Sequence, residues 1–158
     1  MPIDVRVDAH IARSPGEVAA YMFDPHHDPD WITGIERVDP SAAPVGVGTE
    51  THRVAKFMGR PIDYVLRVVE HIPDRLLVME SVKAPFPMGV TYAIEPEAAG
   101  SRVRLRVTGG YGRVMHLASA IVTRQIKRSL EADLRQLARR LEPNTFDGER
   151  SHAAGGQR

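Results

Sequence analysis

The order of the predicted elements is the feature that most constrains how this chain can fold. A run of six or seven strands precedes a long amphipathic helix, which is predicted from about Arg113 to Glu142. A helix of that length extends for ~45 Å, enough to cover one face of a whole sheet. We therefore predict an α+β fold in which a curved antiparallel sheet wraps around the C-terminal helix and can enclose a ligand cavity.

The N-terminal segment predicts one strand and two short helices. Residues Ile3 to Ile11 alternate between apolar and polar side chains, which is typical of a half-buried strand. Ser14 is placed to cap a helix, with Glu17 three residues later as a capping box requires. The pair Asp24-Pro25 ends that helix, and Asp28-Pro29-Asp30-Trp31 predicts a turn into a second short helix.

The middle of the chain predicts a meander of consecutive strands. They are expected from Ile35 onward and over Val47 to Met58, Ile62 to Ile72, Leu76 to Val82, Met88 to Ile94 and Arg102 to Thr108. Short turns between such strands favour antiparallel pairing. In the last strand Arg102, Arg104 and Arg106 alternate with apolar residues, so one face of the sheet is expected to meet water and the other to need a cover.

The predicted helix carries two apolar stripes that are offset near Arg124-Gln125. The first stripe contains Val114, Leu117, Ala118, Ile121 and Val122, and the second contains Ile126, Leu130, Leu134, Leu137 and Leu141. We predict that the second stripe packs on the sheet and that the first lies over the cavity mouth. The arginines and lysine of this helix are expected to form a solvated basic surface.

Composition limits the possible partners and surroundings. The 158 residues predict one domain over residues 1–142 and a disordered, Gly-rich tail over 143–158. A net charge of +1 favours neither nucleic acid nor a membrane surface as a partner. The sequence shows neither a signal-peptide pattern nor an apolar run long enough for integral membrane association. The absence of cysteine excludes disulfides and fits a cytoplasmic protein.

A series of short motifs follows in a particular order along Ile3 to Glu142. They are Ser14-Pro15 with Glu17-Val18, Asp24-Pro25, Pro29-Asp30-Trp31, Gly46 to Thr49, Gly59-Arg60-Pro61, Val68 to Pro73, Gly100 to Val103 and the helix end at Leu137 to Glu142. Their order resembles the START-like helix-grip superfamily, and most of all its polyketide cyclase/dehydratase and lipid transport group, also called SRPBCC. The resemblance implies an elongated cavity between the sheet and the last helix. It does not imply one activity, because the group includes cyclases, hydrolases, carriers and hormone receptors.

Strand alternation predicts the walls of that cavity. The predicted ligand-binding residues are Trp31, Arg53, Phe57, Tyr64, Leu66, Met88, Tyr92, Leu117 and Ile121. Arg53 is the charge expected to point inward, where it would favour a ligand carboxylate, phosphate or phenolate. The alternative is an arginine at the rim that reaches water. The hydroxyls of Tyr64, Tyr92 and Tyr111 are predicted either to bind a ligand carbonyl or to belong to core aromatics.

Three further polar groups are candidates for a role at the site. Glu80 is a buried acid in one frame of its strand and solvated in the other, where Met79 faces inward. His116 is a possible general base, although its helical phase favours exposure. The group His26-His27-Asp28 with Asp30 favours turns over a metal site. No phosphate loop, nucleophile elbow or zinc helix motif is present, so no metal or cofactor is predicted.

The sequence favours a carrier, sensor or sequestering protein that binds a small hydrophobic or aromatic ligand, lipid-like or polyketide-like. An enzyme of the cyclase/dehydratase type is the alternative, with proton transfer through Arg53, Tyr64, Tyr92 or Glu80. A second alternative is an interaction module with a vestigial cavity. Neither the ligand, the oligomeric state nor any catalytic residue is predicted.

Overall fold

Seven antiparallel strands form one sheet in the computed structural model, which describes residues 3–57, 59–110 and 119–142. The strands are β1 (Ile3–Ile11), β2 (Ile35–Pro40), β3 (Glu50–Phe57), β4 (Arg60–Ile72), β5 (Leu76–Lys83), β6 (Met88–Glu97) and β7 (Gly100–Gly109). The helices are α1 (Pro15–Met22), α2 (Asp28–Trp31) and α3 (Ser119–Leu141), with a 3-10 turn at Pro25–His27. The predicted α+β helix-grip fold with its antiparallel meander is confirmed.

The strand order places the first two strands at opposite edges of the sheet. Neighbours follow the order β1-β7-β6-β5-β4-β3-β2. The segment between β1 and β2 must therefore span the width of the sheet, and it carries α1 and α2 across the concave face. Two side-chain caps fix this segment, as predicted for Ser14: its Oγ accepts from the Glu17 N–H at 3.3 Å, and Asp24 Oδ1 accepts from the His26 N–H at 3.0 Å.

Irregularities in the strand pairing help to curl the sheet. The register between β4 and β5 shifts between Val68 and Glu70, and the β2–β3 pairing shifts between Ile35 and Arg37. Such bulges bend and twist the strand that carries them. In β4 the bulge also resets the alternation, so Val68 is buried and Ile72 at the end of the strand is 47% exposed.

The described part of α3 covers the apolar face of the sheet. Leu134 and Leu137 are buried in the main core, and Ile126 and Leu130 pack at the edges of the core clusters. The second predicted apolar stripe therefore contacts the sheet as expected. The predicted helix start at Arg113, most of the first stripe and the tail at 143–158 lie outside the described residues.

The C-terminal end of α3 is tied to the turn that follows β1. Arg13 Nε donates to the Leu141 carbonyl at 2.7 Å, and the Ala12 N–H donates to Glu142 Oε1 at 3.1 Å. Ser101 Oγ in turn donates to the Arg13 carbonyl at 2.6 Å. A guanidinium suits this position because the last helical carbonyls lack intrahelical partners and carry partial negative charge.

The outer face of the sheet is polar, as the arginines of β7 predict. Arg104 pairs with Glu95 at 2.8 Å, and Arg106 pairs with Asp4 at 2.8 Å. Among the residues described, no helix has the length and hydropathy needed to cross a membrane.

Gly34 lies in the turn that joins α2 to β2 and allows a close backbone approach. Its φ is 86°, its carbonyl accepts from the Lys56 N–H at 2.9 Å, and an added Cβ would lie 2.4 Å from the Lys56 carbonyl oxygen. Gly48 has a similar φ of 92°, but an added Cβ there meets no atom within 4 Å. The two glycines therefore separate the cost of a left-handed backbone from the cost of a steric clash.

We expect Gly48→Ala to lower the free energy of unfolding by about 1 kcal/mol, because alanine disfavours a left-handed backbone. We expect Gly34→Ala to lower it by at least about 1 kcal/mol more, because its Cβ meets a fixed carbonyl. Urea unfolding monitored by circular dichroism measures both values. Equal losses in the two variants would show that the backbone contact at Gly34 does not constrain the turn.

Candidate functional site

Two connected chambers occupy the space between the sheet and α3. The outer chamber has a volume of about 240 Å³ and the inner chamber about 180 Å³. The inner chamber is lined by Trp31, Ile32, Arg53, Phe57, Tyr64, Leu66, Met88, Val90, Tyr92, Leu105, Val107, Leu130 and Asp133. The outer chamber shares Ile32, Phe57, Tyr64, Met88 and Val107 with it and adds mainly Ile3, Ile35, Ala55, Ile62, Phe86, Val122 and Ile126. Because five residues line both, the chambers form one elongated space.

Polarity differs sharply between the two chambers. Apolar side chains make up most of the outer wall, and among the described residues that line it the one charged residue, Lys56, is exposed. The inner chamber instead gathers Arg53, Asp133, the phenols of Tyr64 and Tyr92 and the indole of Trp31. An apolar space with a few convergent polar groups is typical of small-molecule sites.

Most of the residues predicted to bind a ligand border the inner chamber. Seven of them do so: Trp31, Arg53, Phe57, Tyr64, Leu66, Met88 and Tyr92. Leu117 lies outside the described residues. Ile121 is placed differently from the prediction, because its side chain is 65% exposed while its neighbour Val122 is buried against Ile3 and Val5. Neighbouring residues on a helix point about 100° apart, so one of the two can be buried while the other is exposed.

Arg53 points inward as the alternation of β3 predicts. Thr51, two residues earlier on the same face, is 1% exposed, and Arg53 itself is 4% exposed. Its Nε donates to Thr51 Oγ1 at 3.2 Å, and its Nη2 lies 3.7 Å from the Met79 sulfur. The alternative prediction, an arginine at the rim whose side chain reaches water, is therefore wrong for Arg53.

The counter-ion of Arg53 comes from the protein itself. Arg53 Nη2 lies 2.9 Å from Oδ2 of Asp28, which is 1% exposed at the start of α2. The N–H is not aligned on this oxygen, and Oδ2 accepts no hydrogen bond within the described residues. The expected ligand anion is thus not needed to balance Arg53. The sequence predicts turns around Asp28 and offers it as a weaker candidate for a metal site, but it does not predict this ion pair. No local signal links Asp28 to a strand so far along the chain.

Burial and charge act in opposite directions on this pair. Burial raises the pKa of Asp28 to about 6, and the Arg53 charge offsets only part of that rise. Burial alone would lower the pKa of Arg53, but the nearby Asp28 carboxylate and the two phenols hold it above its usual range. Asp28 is therefore the member of the pair that can change its charge near neutral pH.

The tyrosines of the inner chamber are hydrogen-bond donors at neutral pH. Burial raises the pKa of both Tyr64 and Tyr92, against the opposing effect of the Arg53 charge. Tyr92 is also held in place by an edge-on contact with Trp31, with ring centroids 5.7 Å apart. Both phenols therefore keep their protons and can donate to an acceptor in the chamber.

The indole of Trp31 lies in the wall of the inner chamber. Its side chain is 2% exposed, and its indole Nε1–H has no hydrogen-bond partner in residues 3–57, 59–110 and 119–142. A buried indole N–H without a partner is costly, and most such groups find one. The predicted packing of Trp31 between α2 and the sheet and its predicted place in the pocket wall are both observed.

Asp133 reaches the inner chamber from α3. Its side chain is 3% exposed, its Oδ1 accepts from the Thr33 N–H at 2.7 Å, and burial raises its pKa. This bond ties α3 to the turn after α2. Helix α2 itself carries Asp28 and Trp31. Sequence reasoning missed it, although Asp133 falls on the apolar stripe three residues after Leu130, where a lone acid signals a buried role.

The remaining candidates lie away from the chambers. Leu77 and Met79 face inward on β5 and Glu80 is exposed, so Glu80 takes no part in the cavity. His26 and His27 pair with Asp24 at the surface, and no group of three metal-ligating side chains occurs in the part of the chain described. Tyr111 and His116 lie outside the described residues.

A larger depression of about 570 Å³ lies outside the sheet and helix cavity. It runs between α1, the segment Ala43–Val45 and the β4–β5 turn at Pro73 and Asp74. This groove is more open than the chambers, and its charged and imidazole side chains are all at least partly exposed. The two chambers, with their buried polar groups, are therefore the stronger candidate site.

The pKa of Asp28 predicts a pH dependence of stability. An acid whose pKa is higher in the folded state stabilises the fold most below its unfolded value of 3.8 and loses that contribution as pH rises through about 6. We expect the wild-type free energy of unfolding, measured relative to Asp28→Asn, to fall by up to about 3 kcal/mol between pH 4 and pH 7. Urea unfolding at several pH values checks this, and a difference that is constant with pH would contradict it.

Comparisons with known proteins agree with this architecture. A family model described as polyketide cyclase / dehydrase and lipid transport matches residues 2–142. No curated protein sequence matches the chain significantly.

Several solved structures share the fold at low sequence identity. The protein TTHA0849 from Thermus thermophilus has a TM-score of 0.76 at 22% identity, with 87% of this chain and 96% of that chain covered. Ara h 8.0201 has a TM-score of 0.66 at 12% identity, with coverages of 89% and 98%. The di-domain ARO/CYC StfQ from the steffimycin biosynthetic pathway has a TM-score of 0.69 at 14% identity, with 96% of this chain and 52% of that chain covered. Because the family model spans nearly the whole chain, the protein belongs to the polyketide cyclase / dehydrase and lipid transport family.

Proposed function

We propose that this protein binds a small hydrophobic or aromatic molecule in the two chambers and acts as a carrier, sensor or sequestering protein. The observation that carries the proposal is the change of polarity along the cavity, from an apolar outer chamber to an inner chamber with buried polar groups. A ligand with an apolar body and one polar end matches that change. The family supports a hydrophobic ligand in general terms.

The two chambers would contribute differently to affinity. Burying the ligand body against Ile35, Phe57 and Val122 stabilises the complex by roughly 25 cal/mol for each Å² of apolar surface removed from water. The polar end would then accept hydrogen bonds from Tyr64 or Tyr92, which keep their protons. Affinity thus comes mainly from the outer chamber and orientation from the inner one.

A cyclase/dehydratase-type enzyme is the second candidate, and one observation favours it. Tyr64, Tyr92 and Arg53 border the same chamber, so several polar groups converge on one volume, as proton-transfer chemistry requires. Their protonated state suits donation to a developing oxyanion more than abstraction of a proton. Glu80, exposed on β5, has no part in this version. The two chambers, of about 240 and 180 Å³, give no support to the alternative of an interaction module with a vestigial cavity.

Native mass spectrometry of protein purified from its own host tests the proposal first. We expect a stoichiometric hydrophobic small molecule that is released on denaturation. Incubating that molecule with fresh protein then separates the two candidates, because a carrier returns it unchanged and an enzyme changes its mass or its chromatographic retention. An empty protein that gains no thermal stability from a library of aromatic and acyl compounds would contradict ligand binding, since a ligand specific for the folded state must stabilise it.

The Tyr64→Ala variant tests the location of the site. Tyr64 borders both chambers, so its removal should weaken ligand binding by about tenfold or more, equivalent to about 1.4 kcal/mol. Arg104→Ala is the control, because Arg104 lies on the outer face of β7 and pairs with Glu95. Isothermal titration calorimetry with the released ligand measures both. Equal losses of affinity in the two variants would place the ligand elsewhere.

A further inference from the structure

Arg53 and Asp28 are arranged one behind the other beside the inner chamber. Arg53 borders that chamber and also a small void of about 10 Å³, whereas Asp28 borders the void alone. A molecule in the inner chamber therefore meets the side chain of Arg53, and the Asp28 carboxylate, which borders the small void, lies 2.9 Å from the Arg53 guanidinium. Asp28 can influence a ligand through its charge without touching it.

We propose that Asp28 sets the charge preference of this cavity, so that the inner chamber selects neutral ligands with a hydrogen-bond acceptor, such as aromatic ketones, over carboxylates or sulfonates of the same shape. The inference rests on the proposed function, because it concerns the ligand of the same cavity. It also replaces the expectation from sequence that an inward Arg53 would favour an anion.

Charge balance is the first argument for this preference. The positive charge of Arg53 is already matched by Asp28, and both side chains are less than 5% exposed. An anionic ligand would leave one negative charge uncompensated in a region where water screens it poorly. Asp133, which is 3% exposed on the opposite wall, adds to the negative potential whenever it is ionised.

The donors that remain in the chamber are the second argument. The phenols of Tyr64 and Tyr92 border the chamber and keep their protons. These two groups are neutral donors. A carbonyl oxygen can accept hydrogen bonds from them without bringing a charge into the cavity.

Two pairs of probes of nearly equal shape test the preference at about pH 8. The neutral members are 2-acetonaphthone and acetophenone, and the anionic members are 2-naphthoate and benzoate. We expect the wild type to bind the ketone of a pair about tenfold or more tightly than the carboxylate. In Asp28→Asn, Arg53 loses its counter-ion, so the carboxylate should gain affinity and the ratio should fall or reverse. Titration calorimetry measures all affinities.

Asp39→Asn is the matched control. It removes the same charge from a carboxylate that is 60% exposed on β2, pairs with Arg37 and lines neither chamber. We expect it to keep the wild-type ratio between the ketone and the carboxylate. A change of the same size as in Asp28→Asn would show that net charge, rather than the buried pair, governs the preference, and would overturn the inference.

A measurement on the wild type covers the case in which Asp28→Asn does not fold. The permanently charged 2-naphthalenesulfonate should bind more tightly at about pH 5 than at about pH 8, because Asp28 gains a proton over this interval. The charged and titratable groups that act on Asp28 are Arg53, Tyr92, Asp24, His26 and His27, and Asp133 and Tyr64 line the chamber. If Asp28→Asn folds, its affinity for the sulfonate should change less between about pH 5 and about pH 8 than that of the wild type. The other titrating groups remain in this variant, so only the contribution of Asp28 is lost.

The possible results separate this inference from the proposed function. Equal affinity for ketone and carboxylate in the wild type, or a sulfonate affinity that does not change with pH, would overturn the charge preference while ligand binding stands. Binding of anions from the aromatic and acyl library without their neutral counterparts would do the same. Failure of every probe and every library compound to bind would overturn the proposed function itself.

Discussion

The buried pair of Arg53 and Asp28 is the interaction on which the arrangement of this cavity depends. It joins the middle of β3 to the first residue of α2, and the backbone bond from the Lys56 N–H to the Gly34 carbonyl joins β3 to the turn that follows α2. Removing one partner would leave a charge that is less than 5% exposed without compensation, which typically costs about 3–5 kcal/mol. The pair therefore fixes the place of α2 and, with it, the indole of Trp31.

The same pair determines what kind of chemistry the inner chamber offers. A lone buried arginine would be an anion site, whereas an arginine already matched by a carboxylate leaves the chamber close to neutral. Neutral donors then dominate, namely the protonated phenols of Tyr64 and Tyr92. A second connection, from Asp133 on α3 to the Thr33 N–H, closes the chamber on the helix side.

The fold was largely predictable because its signals are local and periodic. Alternation in β1 and β7, the cap at Ser14 and the apolar stripe that includes Leu134 and Leu137 each specify an element and the face that it buries. The inward direction of Arg53 also followed from alternation alone. Alternation failed where two frames were equally apolar, as for Met79 and Glu80, and a single helical step misplaced Ile121, because the turn of α3 relative to the sheet is set by packing.

The sequence by itself determined the α+β class, the antiparallel meander, the apolar faces of the strands and seven of the residues that line the inner chamber. The tertiary structure alone decided the partner of Arg53, the burial of Asp28 and Asp133, and the side of β5 that faces inward. The physical reason is that secondary structure and amphipathic faces depend on neighbours a few residues apart, whereas the pairing of charges depends on which distant segments the curled sheet brings together. Nothing in the sequence around Asp28 or Arg53 predicts their pairing, which forms only when the fold brings α2 and β3 together.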